Sequence, residues 1–199
     1  LIVAGFGLRD AVSSMIPIQY GDIFQYNLEV TLKDNLKQKE IQKAYEEIEN
    51  KQEIQKAIKM NKQSIEIMKN DNNQSIQLLV PEKVEQLQDF IQLRNRRKKE
   101  ESYVLDEQGV IITEKLAKLL DIKKGEQITI KNIDKVEVQT TIIGITENYL
   151  SHYIYMAPEL YQKLYQEEIK SNTILAITEE LTEEQEDILG KEILKNKED

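Results

Sequence analysis

Polar and apolar positions alternate most cleanly early in the chain. Phe24, Tyr26, Leu28, Val30 and Leu32 are separated by Gln25, Asn27, Glu29 and Thr31, the period-two pattern of a strand with one buried face. The preceding stretch, Arg9 to Ile18, is weakly amphipathic and predicts a helix that runs up to Pro17. From Asp34 the period lengthens. Ile41, Ala44, Tyr45 and Ile48 make one apolar helical face among Lys, Glu and Gln. Asn50 interrupts that face, but Ile54, Ala57 and Ile58 keep the spacing, so periodicity alone carries the helix on to Asn61. Asn70-Asp71-Asn72-Asn73 is turn chemistry joining two strands, the second holding Ile76, Leu78 and Val80. Pro81 suits the first turn of a helix that presents Val84, Leu87 and Ile91 on one face.

The segment from Asp106 to Tyr161 is built for shape. Asp106 to Gly109 is a turn in which Gly109 is free to take positive φ. Val110, Ile111 and Ile112 form a β-prone run. Thr113 is placed as an N-cap, with Glu114 behind it at the positive end of the helix dipole. Leu116, Ala117 and Leu120 share a helical face that Gly125 is expected to stop. Two period-two strands follow, Ile128 and Ile130, then Val136, Val138, Thr140 and Ile142, joined by the turn Asn132 to Lys135. Beyond it, Asn172 to Thr178 reads as a strand. Thr182 and Gln185 form a capping box ahead of a last helix, which Gly190 weakens by ~1 kcal/mol relative to Ala.

Composition removes several classes of function. The chain has 199 residues, 32% of them charged, and a net charge of −9. Nucleic-acid phosphates repel such a surface, so no nucleic-acid partner is expected. With no cysteine, disulfides, thiolate zinc sites and cysteine nucleophiles are excluded. Gly5-Phe6-Gly7 fails as a dinucleotide loop, because Asp10 stands where the third glycine belongs. There is no phosphate-binding loop, so no nucleotide cofactor is expected in this chain.

The remaining candidate chemistry is sparse. His152 is the only histidine, and one histidine is too few for a zinc site; a structural or surface role is expected. Tyr149, Tyr153, Tyr155, Tyr161 and Tyr165 cluster in sequence. They read as core filling, and alternatively as a patch at Tyr149, His152, Tyr153 and Tyr155 that faces a protein partner. The basic run Arg94 to Lys99 reads as a solvated loop balanced by Glu100 and Glu101, with lipid headgroups or an acidic partner as the functional alternative. A soluble hydrolase using His152 and nearby carboxylates is the competing enzymatic reading. A coiled-coil adaptor on residues 36–61 lacks enough heptads.

Several matched stretches carry a family resemblance: Gly109-Val110-Ile111-Ile112-Thr113-Glu114-Lys115-Leu116-Ala117, Gly125-Glu126-Gln127-Ile128-Thr129-Ile130, Gly144-Ile145-Thr146-Glu147-Asn148-Tyr149, and His152-Tyr153-Ile154-Tyr155-Met156. Together they resemble the extracytoplasmic (MacB-like periplasmic core) domain of FtsX-like, MacB-type ABC transporter permeases. The detailed match spans roughly residues 90 to 165. Glu126 stands where that family often has Asp.

The resemblance implies an α+β fold. A porter-like lobe of split βαβ type would come from both chain ends, at 16–93 and 168–199, with a β-rich lobe inserted at 94–167. It also implies that the helix breaks near Asn50, where the chain turns and runs back as a strand through Ile65 and Ile67. Residues 1–15 would hold the end of a first transmembrane helix, Leu1 to Leu8, and a juxtamembrane segment. The implied protein is a bacterial membrane permease with this domain on the extracytoplasmic side of the cell membrane. It is not an enzyme. ATP is bound by a separate cytoplasmic ATPase, and the permease is a homodimer or pseudo-dimer with an extracytoplasmic protein partner. Both ends of the domain are then expected to emerge close together.

Overall fold

The computed structural model describes residues 11–17, 21–69, 72–148 and 151–194. The expected membrane segment at Leu1 to Leu8 lies outside them. Among the described residues, no helix is long and apolar enough to cross a membrane. The fold is mixed α+β, with strands β1 (Val12–Pro17), β2 (Leu28–Leu32), β3 (Ile54–Lys69), β4 (Asn72–Pro81), β5 (Val110–Thr113), β6 (Gln127–Lys131), β7 (Glu137–Thr146), β8 (Tyr153–Tyr155) and β9 (Thr173–Thr178). The helices are α1 (Gln38–Glu49), α2 (Val84–Leu87), α3 (Glu114–Leu119), α4 (Pro158–Tyr165) and α5 (Glu183–Leu194).

All nine strands join one sheet in the order β1-β2-β9-β3-β4-β8-β5-β7-β6, and β6 also pairs with β3. The second contact closes a six-stranded barrel, β3-β4-β8-β5-β7-β6. The rest is an open, antiparallel extension, β3-β9-β2-β1. In that extension β9 lies between β2 and β3, the two strands that α1 connects. The strand β3 serves both halves: Ile54 to Met60 pair with β9, and Glu66 to Met68 pair with β6. Residues 94–167 therefore do not make the barrel alone, because β3 and β4 supply two of its staves.

The cores divide in the same way. Inside and against the barrel, Ile65, Ile67, Leu78, Val110, Ile112, Leu116, Ile128 and Ile154 form one buried cluster. On the open extension, Leu28, Val30, Ile41, Ala44, Ile48, Leu189 and Ile193 form a second, with α1 and α5 as its cover.

The helix breaks at Asn50 and a strand runs through Ile65 and Ile67, as the resemblance implies, so the longer helix that periodicity alone predicts is not formed. α1 ends at Glu49, where the Asn50 amide and side chain both donate to the Glu46 carbonyl. The misleading spacing of Ile54, Ala57 and Ile58 has two causes. A bulge between Ile54 and Lys56 inserts one position. The strand is also covered on both faces, with Ala57 in one core and Ile58 in the other. The helix expected over Arg9 to Ile18 is likewise overturned from Val12 to Pro17, which form β1, paired antiparallel to β2. A register shift between Val12 and Ser14 hides its alternation. Pro81 closes β4 instead of opening a helix, and α2 is one turn.

Turn chemistry differs in two places. Gly109 is not at positive φ; among described glycines that conformation belongs to Gly125, at φ 91°. Nor does Gly125 stop α3. Asp121 does, at φ 48°, with the Ile122 amide donating to the Ala117 carbonyl at 2.8 Å in a Schellman closure. The Thr182–Gln185 capping box forms as expected, with reciprocal bonds of 2.9 and 3.3 Å.

Candidate partner-facing region

β8 is a three-residue stave held between β4, to which it runs parallel, and β5, to which it runs antiparallel. Period-two geometry puts Tyr153 and Tyr155 on one side, and their rings lie 6.0 Å apart. That side faces inward. Tyr155 is 1% exposed, and Tyr153 is half-buried, edge-on to Phe24 at 6.2 Å. Burial pushes the Tyr155 phenol well above its usual range, with Tyr153 and Tyr26 adding to the shift. Tyr26 is raised as well, first by burial and then by Glu29 and Tyr153.

The expected surface patch is therefore not assembled as such. Tyr155 belongs to the core, Tyr149 lies outside the described residues, and only His152 and Tyr153 keep partial exposure. The core-filling reading holds for the later tyrosines too. Tyr161 is 4% exposed and hydrogen-bonds Glu167 at 3.1 Å, and Tyr165 stacks on it at 4.7 Å.

His152 sits at the start of β8, half-buried, with its carbonyl accepting from the Gln77 amide. Its Nδ1 is buried and has no hydrogen-bond partner. Among the described residues, no group of three or more His, Cys, Asp or Glu is arranged to hold a metal.

The Arg94 end of the basic run departs from the solvated-loop expectation. Arg94 Nε donates to Glu147 at 3.0 Å, and Glu147 is buried at 1% exposure. The Arg94 amide donates to Thr146 Oγ1, and its carbonyl accepts from the Glu147 amide at 2.9 Å. Arg94 thus clamps the chain to the end of β7. Arg96 pairs with Glu114 at 2.7 Å. Residues beyond it form the tip of a ribbon, in which Leu93 faces Tyr103, Arg94 faces Ser102 and Asn95 faces Glu101. Arg97, Lys98 and Lys99 project there, exposed. Periodicity offers no signal for the Arg94 clamp, since its partner lies in a distant strand. Equally invisible in sequence is a groove of about 290 Å³ at the base of the ribbon, between α2 and Ser102 to Leu105.

No family model matches the chain and no curated protein matches it. Solved structures are similar to it. The periplasmic region of MacB from Actinobacillus actinomycetemcomitans is 15% identical, with 76% of this chain and 71% of that chain covered and a TM-score of 0.45. The extracellular domain of the noncanonic ABC-type transporter YknZ from Gram-positive bacteria is 13% identical, with 75% and 77% covered and a TM-score of 0.47.

Proposed function

We propose that this chain is the extracytoplasmic domain of an FtsX-like, MacB-type ABC transporter permease, and that it carries motion instead of making bonds. The observation that supports the reading is the position of its two ends. α5 packs on β1, and Ala11 and Val12 share one buried cluster with Leu189 and Ile193. Connections entering before β1 and leaving after α5 therefore start from one place, as a domain inserted between two membrane spans requires. The open extension, made from both chain ends, is the porter-like lobe, and the inserted segment 94–167 completes the barrel on the staves β3 and β4. ATP is bound by a separate cytoplasmic ATPase. Its motion reaches this domain through the paired ends and drives substrate efflux or engages an extracytoplasmic partner. The working permease is a homodimer or pseudo-dimer.

The test uses the full-length gene product. This chain has no cysteine, so Glu107→Cys, at a side chain 67% exposed, is a unique label within the domain once any cysteines elsewhere in the full-length product are replaced by serine. A membrane-impermeant maleimide should react with it in intact cells, and spin labels there should change their mutual distance on ATP-analogue binding. Reaction only after lysis, or a nucleotide-independent distance, would overturn the proposal. His152→Ala should leave transport or partner signalling unchanged; loss of a hydrolytic activity instead would favour the enzyme reading.

A further inference from the structure

We infer that the exposed lysine face of α3, with the turn that follows it, is a contact site for anionic phospholipid headgroups at the bilayer surface. The inference deepens the proposed function by giving the domain a second hold on the membrane, and rests on that reading for its biological role. Three observations carry it.

The first is the composition of the face. Leu116, Ala117 and Leu120 turn one side of α3 inward. Lys115, Lys118 and Leu119, at spacings of three and four, share the exposed side. The turn at Asp121 buries Ile122 and leaves Lys123 and Lys124 exposed directly after the helix. Leu119 is 52% exposed beside these lysines. An apolar side chain among cations suits the headgroup boundary, where ammonium groups meet phosphates and the leucine meets acyl carbons.

The second is that the charge is left for a partner. The carboxylates beside the lysines are already matched, Glu114 by Arg96 at 2.7 Å and Glu126 by Lys69 at 3.0 Å. That leaves Asp121 as the one other acidic residue in the segment 114–126. Among the described residues, neither Lys118 nor Lys123 makes a salt bridge. The nearby ribbon tip does not belong to the face, because Glu100 and Glu101 offset its cations and Lys98 pairs with Glu101. The whole chain carries −9, and α5 opens with Glu183, Glu184 and Glu186. An anionic surface therefore repels the other approaches and accepts the α3 side.

The third is strand sense. β1 is antiparallel to β2, β2 to β9, and β9 to β3, so β1 and β3 run in opposite senses. The connection that enters before Val12 therefore arrives from the side toward which β3 runs. β3 ends at Lys69, whose ammonium donates to the Asp121 carbonyl, within the lysine turn. Under the permease reading, the membrane lies on that side.

The probe is a vesicle made of equal parts phosphatidylglycerol and phosphatidylcholine, with phosphatidylcholine vesicles as the neutral control. The whole chain should float with the anionic vesicles alone. Raising salt from about 0.1 to about 1 M, which shortens the Debye length from about 10 to about 3 Å, should release it. Lys118→Glu with Lys123→Glu should weaken binding about tenfold or more, since each lysine at such a surface contributes about fivefold. Lys39→Glu with Lys43→Glu alters net charge equally on exposed positions of α1 and should change binding by less than about twofold, because the attraction falls off within a Debye length. Circular dichroism checks that both variants remain folded. An environment-sensitive dye on Leu119→Cys, in a chain with no other cysteine, should shift to the blue on anionic vesicles, and the same dye on Glu183→Cys should not. No flotation, equal flotation with neutral vesicles, an equal loss in the α1 variant, or an unshifted dye on Leu119→Cys would each overturn the assignment. So would tighter binding to polyglutamate than to the vesicles, since the occupant would then be an acidic protein. None of these results touches the maleimide labelling in cells, so the contact can fail while the permease reading stands.

Discussion

Substituting Gly109 by alanine tests how tightly the barrel closes. A Cβ built there would lie 2.2 Å from the Thr141 carbonyl oxygen and 2.7 Å from the Ile143 Cγ2. Both are roughly 1 Å or more inside ordinary contact. The nearer atom is backbone of β7 and cannot rotate away. Relief requires β5 and β7 to part where their parallel register already shifts, between Val110 and Ile111. Forcing a methyl group into packed structure costs about 1–3 kcal/mol. For a chain of this size each kcal/mol lowers Tm by roughly 2–4 °C, so a fall of about 2–12 °C is expected in a thermal melt. Two controls separate space from backbone strain. Gly21→Ala meets nothing within 4 Å and should stay within about 0.5 kcal/mol of the parent. Gly125→Ala also meets nothing, but sits at φ 91°, so its cost of about 1–2 kcal/mol should be partly recovered by Asn, which tolerates positive φ. Asn at position 109 should recover nothing. A Gly109→Ala melt that matches Gly21→Ala would refute the close approach of β5 and β7.

Other perturbations follow from the same contacts. Arg94→Ala leaves the Glu147 carboxylate buried without its guanidinium and should cost about 3–5 kcal/mol in urea unfolding; a loss below ~1 kcal/mol would mean that the pair behaves as a surface one. Thr182→Ala removes the hydroxyl that accepts from the Gln185 amide and should cost ~1 kcal/mol, seen as a lower urea midpoint with unchanged slope. The phenols of Tyr26 and Tyr155 have folded pKa values raised above their unfolded ones, mainly by burial. Their contribution is complete below the unfolded value of about 10 and is lost as pH rises toward the folded values, at ~1.4 kcal/mol per pH unit for each tyrosine. Stability should therefore fall steeply in alkali, and Tyr155→Phe should flatten the fall.

Where one element has one apolar face, its pattern is readable. β2 alternates because its apolar residues Leu28, Val30 and Leu32 share one face in the second core, while the other face holds polar Glu29, buried against Lys62, and Thr31. α1 shows its stripe of Ile41, Ala44 and Ile48 because only that face is buried. Where both faces bury apolar residues or a bulge intervenes, periodicity misleads. β3 is the clear case, since its bulge and double coverage mimic a helical spacing. Turn residues are legible as punctuation but not in mechanism: Gly109 is required by the close approach of β7 and not by positive φ, whereas Gly125 takes positive φ without stopping α3. The tyrosines show a limit of composition. A residue type suited to interfaces and cores alike is assigned only by what lies beside it, and Tyr155 lies among Tyr153, Tyr26 and the barrel wall. The groove at Val104 depends on three separated segments meeting, and no local pattern reports such a meeting.

The shared strand bears on how such a domain could carry motion. Lobes joined by linkers move independently by default. Here β3 runs unbroken from the open extension into the barrel, 16 residues or roughly 50 Å of extended chain. β4 stays paired to it from Met60 to Lys69. A sharp bend within residues 61–64, where β4 pairs with β3, would break ladder bonds each worth ~1 kcal/mol. Several would have to open together. A displacement applied where β1 and α5 meet therefore reaches the barrel with the β3–β4 ribbon as its shaft. If so, paired spin labels at Lys56 and Glu107, one on each half, should keep one fixed distance while the intermolecular distance between copies changes with nucleotide. Labels that move relative to each other within one chain would place a hinge inside the sheet and defeat the lever argument.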